Sequence, residues 1–395
     1  MNTSTSTLLN RSFISACASN LLFFFSFYLL IPVLPLYLHD EMHAGKSVTG
    51  LILSSYTIAT LFIRPISGVL VDSWQRKPLY MVCYFCFAAY FLGYLLAGTL
   101  ILLALIRCTH GLVFGIATTS ANTLAIDTLP PDKLGRGIGI YGTASSLAMA
   151  LGPMAGLMLL GHFSFQAVFG IAFLSAFGAF LIGSTIRVEP RVRNVLPNED
   201  RRLSFDQFFL VRGWPSALCI FMFAFLYGVL MNYLSFFARE RHISANPGYF
   251  FCLLSAGLIL SRFIAGRMID NGYLCRMIII GKLILIAAIL PFILIPNERV
   301  FFGSAVFIGF GFGLIAPSYQ TLFIRLASRE RRGTANSTYL TAWDGGIGIA
   351  VLASGLMLEH TTLTDVFLLG TTLVVVSMLF FAAVGAPHFK RYRLS

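Results

Sequence analysis

The segment Gly68-Val-Leu-Val-Asp-Ser-Trp-Gln-Arg-Lys-Pro-Leu-Tyr80 lies between two long apolar runs and carries Asp72, Arg76 and Lys77 close together. Each flanking run holds roughly 20 mostly apolar residues, which is the length that a helix needs to cross the hydrocarbon of a membrane. A short charged segment between two such runs is typical of a loop at the membrane surface. The segment therefore predicts that the chain folds as membrane-spanning helices joined by short loops.

A second copy of this pattern lies 198 residues further along the chain, which indicates that one unit was used twice. Four residues of the first copy have identical counterparts in the second: Gly50, Arg64, Gly68 and Asp72 match Gly248, Arg262, Gly266 and Asp270. The fourth and tenth apolar runs match at the same spacing, with Gly111, Phe114, Gly115, Thr123 and Leu124 against Gly309, Phe312, Gly313, Thr321 and Leu322. The second copy lacks the two basic residues, so we expect the first copy to be the functional one.

The composition is that of a membrane protein. Hydrophobic residues make up 57% of the 395 residues and charged residues 11%, whereas roughly a quarter of the residues of a soluble protein are charged. We predict twelve spans, at 12–36, 48–71, 78–98, 99–124, 137–161, 165–186, 214–238, 248–269, 274–295, 299–324, 333–358 and 365–386. The expected fold class is an all-α membrane protein with twelve transmembrane helices in two pseudo-symmetric six-helix halves. The seven cysteines lie in or beside the apolar runs, so we expect neither disulfides nor a metal site.

The basic residues indicate the orientation in the membrane. Most of the 28 Lys and Arg side chains, including Lys282 in span 9, fall at or near span ends on one side, which the positive-inside rule makes the cytoplasm. We therefore expect a multi-pass protein of the inner membrane with both termini in the cytoplasm. The net charge of +12 arises from these short clusters, so no nucleic-acid partner is expected. The polar segment 187–213 is the expected cytoplasmic linker between an amino-terminal half, 1–186, and a carboxy-terminal half, 214–395.

In these residues the chain resembles the major facilitator superfamily, and within it the drug:proton antiporters with twelve spans. Segment 68–80 is similar to the first cytoplasmic-loop signature of that family, with Gly68, Leu70, Asp72, Arg76 and Lys77 in place and Ser73 and Gln75 as departures. The pattern Arg107-Cys-Thr-His-Gly111 in span 4 is similar to a second signature of the family, Arg-x-x-x-Gly. The resemblance covers the whole chain.

A third stretch, in span 5, concerns the direction of transport. Gly152, Pro153 and Gly156 resemble the signature of exporters in this family, and Ala148 and Leu157 replace its outer glycines. A Gly-Pro pair kinks a helix, and glycines four residues apart give the helix a face that packs closely. The resemblance implies export, while close packing alone would equally explain these residues.

The resemblance implies the major facilitator fold and transport by alternating access, with no enzymatic reaction and no cofactor. We predict efflux of a small hydrophobic or weakly polar molecule in exchange for protons, by a monomer in the lipid bilayer. The sequence has no Walker-type loop for ATP, so the energy must come from an ion gradient or from that of the substrate. Two alternatives remain open: a proton-coupled importer or symporter of a small metabolite on the same fold, and a non-transporting membrane sensor or assembly partner.

The segment 68–80 is expected to act as a gate. In the family this signature is thought to hold the two halves in one state through charge pairs, which implies a gating role for Gly68, Asp72, Arg76, Lys77 and, as a partner of Arg76, Asp127. A glycine permits close helix packing, and a carboxylate at a helix end can accept backbone N–H groups or complement the dipole of a neighbouring helix. The alternative is that these charges only set the topology.

Of the charged residues, only Arg107 and Asp344 fall well inside the predicted spans. A charge at the centre of a span costs roughly 2.5–3.5 kcal/mol on insertion scales, so a function or a partner must offset this cost. Arg107 shares one face of span 4 with His110, whose imidazole exchanges protons near neutral pH, and a buried carboxylate such as Asp344 suits a reversible proton carrier. We therefore assign proton coupling to Arg107, Asp344 and His110. The alternatives are an arginine bonded to carbonyl groups, and a structural pairing or a substrate contact for Asp344.

By analogy with the family, the substrate cavity is expected between spans 1, 4, 7 and 10. Polar and aromatic residues of these spans are its candidate lining: Asn20, Phe24, Tyr28, Asn122, Tyr227, Asn232, Tyr233, Tyr319 and Gln320. An aromatic cavity with few charges favours hydrophobic or weakly polar substrates. Most of the 38 phenylalanines are expected to face lipid instead.

Overall fold

The computed structural model describes residues 9–44, 46–160, 162–188, 208–244, 248–358 and 360–394, and the regular secondary structure of these residues is helical throughout. Twelve long helices follow one another along the chain: α1 (Arg11–Asp40), α2 (Lys46–Ser73), α3 (Arg76–Leu96), α4 (Leu100–Asp127), α5 (Leu134–Leu160), α6 (Phe165–Ser184), α7 (Trp214–Glu240), α8 (Gly248–Met268), α9 (Leu274–Leu294), α10 (Glu298–Leu326), α11 (Arg332–Met357) and α12 (Leu363–Phe380). A short helix, α13 (Ala386–Tyr392), follows the π-helical turn Phe381–Gly385. The predicted all-α fold is confirmed.

Ten segments of the described residues are long and apolar enough to cross a membrane. One of them, Tyr249–Leu294, contains both α8 and α9, because the π-helical turn Ile269–Tyr273 joins these helices. Helix α11 is not among the ten segments found in the described residues, and its sequence is interrupted by Thr, Asn, Ser and Asp. When both helices of the long segment and α11 are counted, the layout agrees with the predicted twelve spans in two six-helix halves.

Several helices begin where a side chain accepts a backbone N–H group. Asn10 caps α1 and Thr99 caps α4, while Thr362 and Asp365 form a reciprocal capping box at the start of α12. These caps satisfy N–H groups that have no acceptor within their own helix. Gly272, with a φ angle of 89°, provides the left-handed residue at the bend between α8 and α9. Local sequence therefore sets where these helices begin and bend.

The chain clusters into two compact units. The first unit comprises Met1–Pro131, Leu147–Phe209 and Glu330–Ser337. Within it, α2 packs against α4, α1 packs against α6, and α3 packs against both α4 and α6. The ring of Phe23 lies 4.5 Å from the ring of Tyr84 and 4.0 Å from that of Phe87, measured between ring centres. Aromatic side chains therefore join α1 to α3 in the core of this unit.

The second unit comprises Asp132–Ser146, Leu210–Arg329 and Thr338–Ser395. Its helices pack in corresponding pairs: α8 against α10, α7 against α12, and α9 against both α10 and α12. Each pair repeats a pair of the first unit six helices later, in agreement with the internal repeat of the sequence. Helices α5 and α11 each contribute residues to both units. The predicted halves, 1–186 and 214–395, are instead continuous along the chain, and this division stays a prediction.

The repeat extends to single contacts between helices. A Cβ atom added to Gly111 of α4 would overlap the carbonyl oxygen of Tyr56 in α2, and one added to Gly309 of α10 would overlap the carbonyl oxygen of Leu254 in α8. The two glycines are 198 residues apart, and so are the two residues that they contact. In both units these helix backbones approach so closely that glycine is required at the contact.

Candidate functional site

Asp72, at the end of α2, binds the beginning of α11. Its carboxylate accepts hydrogen bonds from the backbone N–H groups of Gly333 and Thr334, at 2.8 and 2.7 Å, and from the Thr334 hydroxyl at 2.7 Å. Gly333 and Thr334 are the second and third residues of α11, whose N–H groups have no acceptor in their own helix. Asp72 thus acts as an N-cap supplied by another helix, and its charge complements the helix dipole. This is the type of contact that the sequence predicts for Asp72.

A chain of alternating charges continues from Asp72. Arg76 Nη2 lies 3.3 Å from Asp72 Oδ1, and Arg76 Nη1 donates to Asp127 at the end of α4. Arg332 Nη1, at the start of α11, lies 3.2 Å from the other carboxylate oxygen of Asp127. Arg76 is only 7% exposed, so its ion pairs are largely shielded from water. We refer to Asp72, Arg76, Asp127 and Arg332 as the charge network; it contains the predicted pair of Arg76 and Asp127.

The other two residues of the predicted gate contact different partners. A Cβ atom at Gly68 would lie 2.7 Å from Ser337 Cβ, so the glycine lets α2 approach α11 closely. Lys77 donates hydrogen bonds to the carbonyl groups of Ser184, at 2.7 Å, and Ile186. A lysine near a helix C-terminus satisfies free carbonyl groups and complements the dipole there. Lys77 therefore joins α3 to the end of α6. The gating role of these residues stays a prediction.

The second copy of the segment makes an equivalent cap. Asp270 accepts hydrogen bonds from the backbone N–H groups of Gly135, at 2.7 Å, and Arg136, at 3.1 Å. These are the second and third residues of α5, and they lie 198 residues before Gly333 and Thr334. The acceptor and both donors therefore correspond between the two copies. The second copy lacks the two basic residues, and for that reason the first copy is expected to be the functional one. The cap needs only the aspartate, so both copies make it.

The charges around the two caps differ. The residue equivalent to Asp127 is Arg325, and the residue equivalent to Arg76 is Leu274. Arg325 interacts electrostatically with Asp270. In the second copy, a basic partner of the capping carboxylate therefore comes from the end of α10, whereas in the first copy Arg76 comes from α3.

Arg107 and His110 lie together on α4, in the first unit. The guanidinium Cζ atom of Arg107 lies 4.3 Å from the centre of the Tyr56 ring. His110 is 1% exposed, and its Nδ1 atom is 2.7 Å from the hydroxyl oxygen of Tyr94 on α3. Further rings of α3 surround the imidazole, namely Phe87, Tyr90 and Phe91. We refer to Tyr56, Tyr94, Arg107 and His110 as the polar cluster.

Three buried atoms of the polar cluster have no hydrogen-bond partner within the part of the chain that the structure describes. They are the hydroxyl oxygen of Tyr56, Nε of Arg107 and Nε2 of His110. Among the same described residues, Arg107 forms no ion pair with a carboxylate. A buried polar atom left without a partner costs about 1–3 kcal/mol. The polar cluster therefore has free capacity to bind a polar or anionic group.

Asp344 belongs to the second unit. It is half-buried on α11 and interacts electrostatically with Tyr339 of the same helix. The adjacent Trp343 packs against Tyr227, with 5.0 Å between the ring centres, and Tyr227 contacts Phe312 of α10. The structure thus brings Arg107 and His110 together in the first unit, and in the second it places Asp344 next to Trp343 in the chain and near Tyr339. The proton-coupling roles of these three residues stay predictions.

The predicted cavity residues occupy different environments. In α1, the rings of Phe24 and Tyr28 stack with 6.0 Å between their centres, and Phe24 also contacts Phe114 of α4. Among the polar candidates, Asn20 is buried, whereas Asn122, Tyr227, Tyr233 and Gln320 are half-buried. Tyr319 is fully buried. The side chain of Asn232 lies outside the described residues. Contact of these residues with substrate stays a prediction.

The glycines of the predicted exporter signature form a helix contact inside the first unit. A Cβ atom at Gly152 would lie 2.6 Å from Tyr28 Cβ, and one at Gly156 would overlap the carbonyl oxygen of Leu29. Tyr28 and Leu29 both belong to α1, so close packing of α5 on α1 accounts for both glycines. The side chain of Pro153 lies outside the described residues.

The sequence prediction missed a buried charge, Lys282. The residue was expected near a span end, yet its side chain on α9 is 0% exposed. Its Nζ atom donates to the hydroxyl oxygens of Tyr319, at 2.9 Å, and Ser377, at 2.6 Å. Ser377 in turn donates to the carbonyl oxygen of Cys219 at 2.6 Å. The apolar residues on both sides, in Met277-Ile-Ile-Ile-Gly-Lys-Leu-Ile-Leu-Ile286, are the signal that could have revealed this burial.

Comparison with known proteins gives matches over nearly the whole chain. The family model described as Major Facilitator Superfamily matches residues 16–351 and 217–392. The "Uncharacterized MFS-type transporter YhhS" of Escherichia coli strain K12 is 24% identical over 388 residues, and the match covers 94% of this chain and 92% of that protein. The protein of the same name from Salmonella paratyphi C is 25% identical over 388 residues, with the same coverage.

Solved structures with the same fold include membrane transporters. The human organic anion transporter MFSD10 (TETRAN) superposes with a TM-score of 0.81 at 19% identity, covering 94% of this chain and 98% of that chain. The proton:xylose symporter XylE superposes with a TM-score of 0.74 at 14% identity, covering 95% of both chains. At such identities the likeness shows a shared fold.

Proposed function

The chain belongs to the Major Facilitator Superfamily and is a multi-pass membrane transporter, and we propose that it exports a small hydrophobic or weakly polar molecule across the inner membrane in exchange for protons. Transport would proceed by alternating access, with the substrate site opened to one side of the membrane at a time. Family membership supports transport of a small molecule. The direction, the proton coupling and the class of substrate are the proposed part, and they rest on the side chains described above.

The polar cluster is the observation that carries this proposal. It holds a cationic group, Arg107, beside a titratable one, His110, and three of its buried polar atoms lack a partner among the described residues. When His110 donates its Nδ1 proton to Tyr94, its Nε2 atom is free to accept a further proton, which adds a second positive charge near Arg107. A substrate that donates a hydrogen bond to His110 Nε2 uses the atom that takes up the proton, so proton and substrate would then compete. Such competition is what exchange requires.

Asp344 is the second proposed proton carrier, in the other unit. It is half-buried on α11 and its carboxylate interacts electrostatically with Tyr339 of the same helix, and this position supports the role. The aromatic contacts of Trp343 and Tyr227 beside it provide an apolar surface. Aromatic surface of this kind, which Phe24 and Tyr28 also provide within the first unit, supports a substrate that is hydrophobic or weakly polar.

The charge network, with Gly68 and Lys77, is the proposed gate. Moving α2 away from the start of α11 would remove the Asp72 carboxylate from two backbone N–H groups and one hydroxyl. It would also separate Arg332 from Asp127. The network therefore stabilises one conformation, and a change of charge at the transport site has to overcome these bonds before the gate opens.

Inverted membrane vesicles test export directly. Respiration acidifies the vesicle interior, the quenching of aminochloromethoxyacridine reports the proton gradient, and chloramphenicol and ethidium serve as the transported probes. We expect a transported probe to release protons and restore the fluorescence. Arg107→Ala and Asp344→Asn are each expected to slow this recovery by at least about tenfold, because each removes a proposed coupling group. Arg391→Ala, which changes an exposed residue of α13, is the control and should match the wild type.

Two other outcomes would contradict the export proposal. Accumulation of a probe in right-side-out vesicles under an inward proton gradient would show a symporter. A non-transporting role would be favoured if no probe moved protons in either orientation and if vesicles with Arg107→Ala gave the same fluorescence as the wild type.

A further inference from the structure

Lys282 is the centre of a polar site in the second unit that the proposed export mechanism does not use. Besides its bonds to Tyr319 of α10 and Ser377 of α12, its Nζ atom lies 5.3 Å from the centre of the Tyr319 ring and 5.7 Å from that of Phe381. Cys219 of α7 completes the surroundings, because its carbonyl group binds Ser377 and its thiol interacts electrostatically with Lys282. We refer to Lys282, Tyr319, Ser377 and Cys219 as the lysine site.

The lysine site holds no carboxylate. Within the described ranges, no Asp or Glu forms an ion pair with Lys282. The titratable groups that face it from the neighbouring helices are the Tyr319 phenol and the Cys219 thiol, and both groups are ordinarily uncharged at neutral pH. Removing an ammonium ion from water without a compensating anion costs several kcal/mol. The charged form of Lys282 is therefore poorly compensated.

Two further basic residues lie near the start of α9. Lys390 and Arg393, at the end of α13, interact electrostatically with Cys275, which precedes Lys282 by seven residues on α9. A spacing of seven residues places Cys275 and Lys282 on the same helix face. These basic groups have the same charge as the lysine, so they do not compensate the ammonium ion.

The first unit shows that the fold does not require this charge. The residues that lie 198 positions before Lys282, Tyr319 and Ser377 are Tyr84, Ala121 and Ala179. All three are buried, and they belong to α3, α4 and α6, the helices that correspond to α9, α10 and α12. The first unit thus fills this position of the repeat with a phenol and two methyl groups. The second unit carries an amine and two hydroxyl groups instead, so a role beyond packing is needed to account for them.

We propose that Lys282 is a reversible proton-binding site within the membrane, separate from Arg107, His110 and Asp344. Both of its protonation states have suitable partners. The ammonium form donates to the oxygens of Tyr319 and Ser377, whereas the neutral amine can accept a hydrogen bond from the Tyr319 hydroxyl and still donate to Ser377. The exchange moves one proton between the ammonium group and a water molecule that reaches the site, leaves an uncharged amine, and is accompanied by a rotation of the Tyr319 hydroxyl.

Selective isotope labelling tests the site directly, because the chain has only five lysines: Lys46, Lys77, Lys133, Lys282 and Lys390. The full-length protein, labelled with ¹³C at Cε and ¹⁵N at Nζ of lysine, is titrated in lipid nanodiscs without substrate between about pH 6 and about pH 9, below the range in which a solvated lysine loses its proton. The Lys282 signals are identified by their loss in Lys282→Met. We expect them to move from ammonium to amine values within this range, while the exposed Lys390 stays at ammonium values.

Lys282 signals that remain at ammonium values, or at amine values, over the whole titration would overturn the proposal. If Lys282→Met does not fold, the triple variant Lys282→Tyr, Tyr319→Ala and Ser377→Ala provides the assignment, since it copies the residues of the first unit. The measurement needs no transported probe. Its failure is therefore distinguishable from a failure of the proposed export.

Discussion

Asp72 and Asp270 show how much a single residue can predict in this chain. A carboxylate at the end of an apolar run is expected to accept backbone N–H groups or to complement a helix dipole, and both aspartates accept two such groups. The sequence could not identify the donors, because Gly333 and Thr334 lie 261 and 262 residues away from Asp72. The chemistry of the residue was predictable, whereas its partners depend on which remote helix end packs beside it.

Gly111 provides a prediction at the scale of one residue. Gly111→Ala is expected to lower the melting temperature of the purified protein, because its Cβ atom would overlap the carbonyl oxygen of Tyr56. Overpacking of this kind costs about 1–3 kcal/mol. Gly170→Ala in α6 is the matched control, since a Cβ atom there meets nothing within 4 Å and the loss of a glycine from a helix is neutral or stabilising. Equal melting temperatures for the two variants in detergent would contradict the close contact.

At the scale of helices, the sequence predicted where each helix lies along the chain, but it predicted only some of the contacts between helices. The predicted spans 48–71 and 299–324 agree closely with α2 and α10, because an apolar run of sufficient length forms a helix wherever it meets lipid. The charge network then joins α2, α3, α4 and α11 through four side chains. The sequence predicted the contact of Arg76 with Asp127 by resemblance. It did not identify Arg332 as a further partner, because that residue follows some 200 residues later.

A double-mutant cycle tests the charge network at this scale. Arg76→Gln and Asp127→Asn each leave an opposite charge largely buried, so each is expected to lower the free energy of unfolding by about 3–5 kcal/mol. The double variant removes both charges and should cost less than the sum of the single variants by about 0.5–3 kcal/mol. Asp132→Asn combined with Arg391→Gln, two exposed residues, serves as the additive control. Additive losses for Arg76 and Asp127, measured by thermal unfolding, would show that the two side chains do not interact.

At the scale of the whole molecule, the two units repeat one packing scheme with different polar groups. The pairing of α2 with α4 corresponds to that of α8 with α10, and both depend on a glycine at the helix contact. The first unit contains Arg107 and His110, whereas the second contains Asp344 and the lysine site. Duplication explains why the two units share one packing scheme. A duplicated span keeps its apolar pattern when single polar residues change. The polar residues of the two copies therefore differ although their packing is the same.

The orientation of the whole molecule gives a further prediction. With both termini in the cytoplasm, alkaline phosphatase fused after residue 395 should be inactive, whereas green fluorescent protein at the same position should fluoresce. Phosphatase inserted in the loop at 97–99, between α3 and α4, should be active, because three spans precede it. Phosphatase inserted at 128–130, after α4, is the inactive control. An active enzyme at the carboxy terminus would contradict the predicted orientation.

The sequence by itself determined the number of helices, their places along the chain, the internal repeat and the resemblance to a transporter family. These properties follow from local composition, because each span must satisfy its own backbone and present enough apolar side chains to lipid. The tertiary structure alone decided that Lys282 is buried, that Asp72 and Asp270 make equivalent caps, and that Gly152 and Gly156 pack on α1. The physical reason is that burial and partners depend on how each helix is rotated about its axis against remote segments, which an apolar run of sequence leaves undetermined.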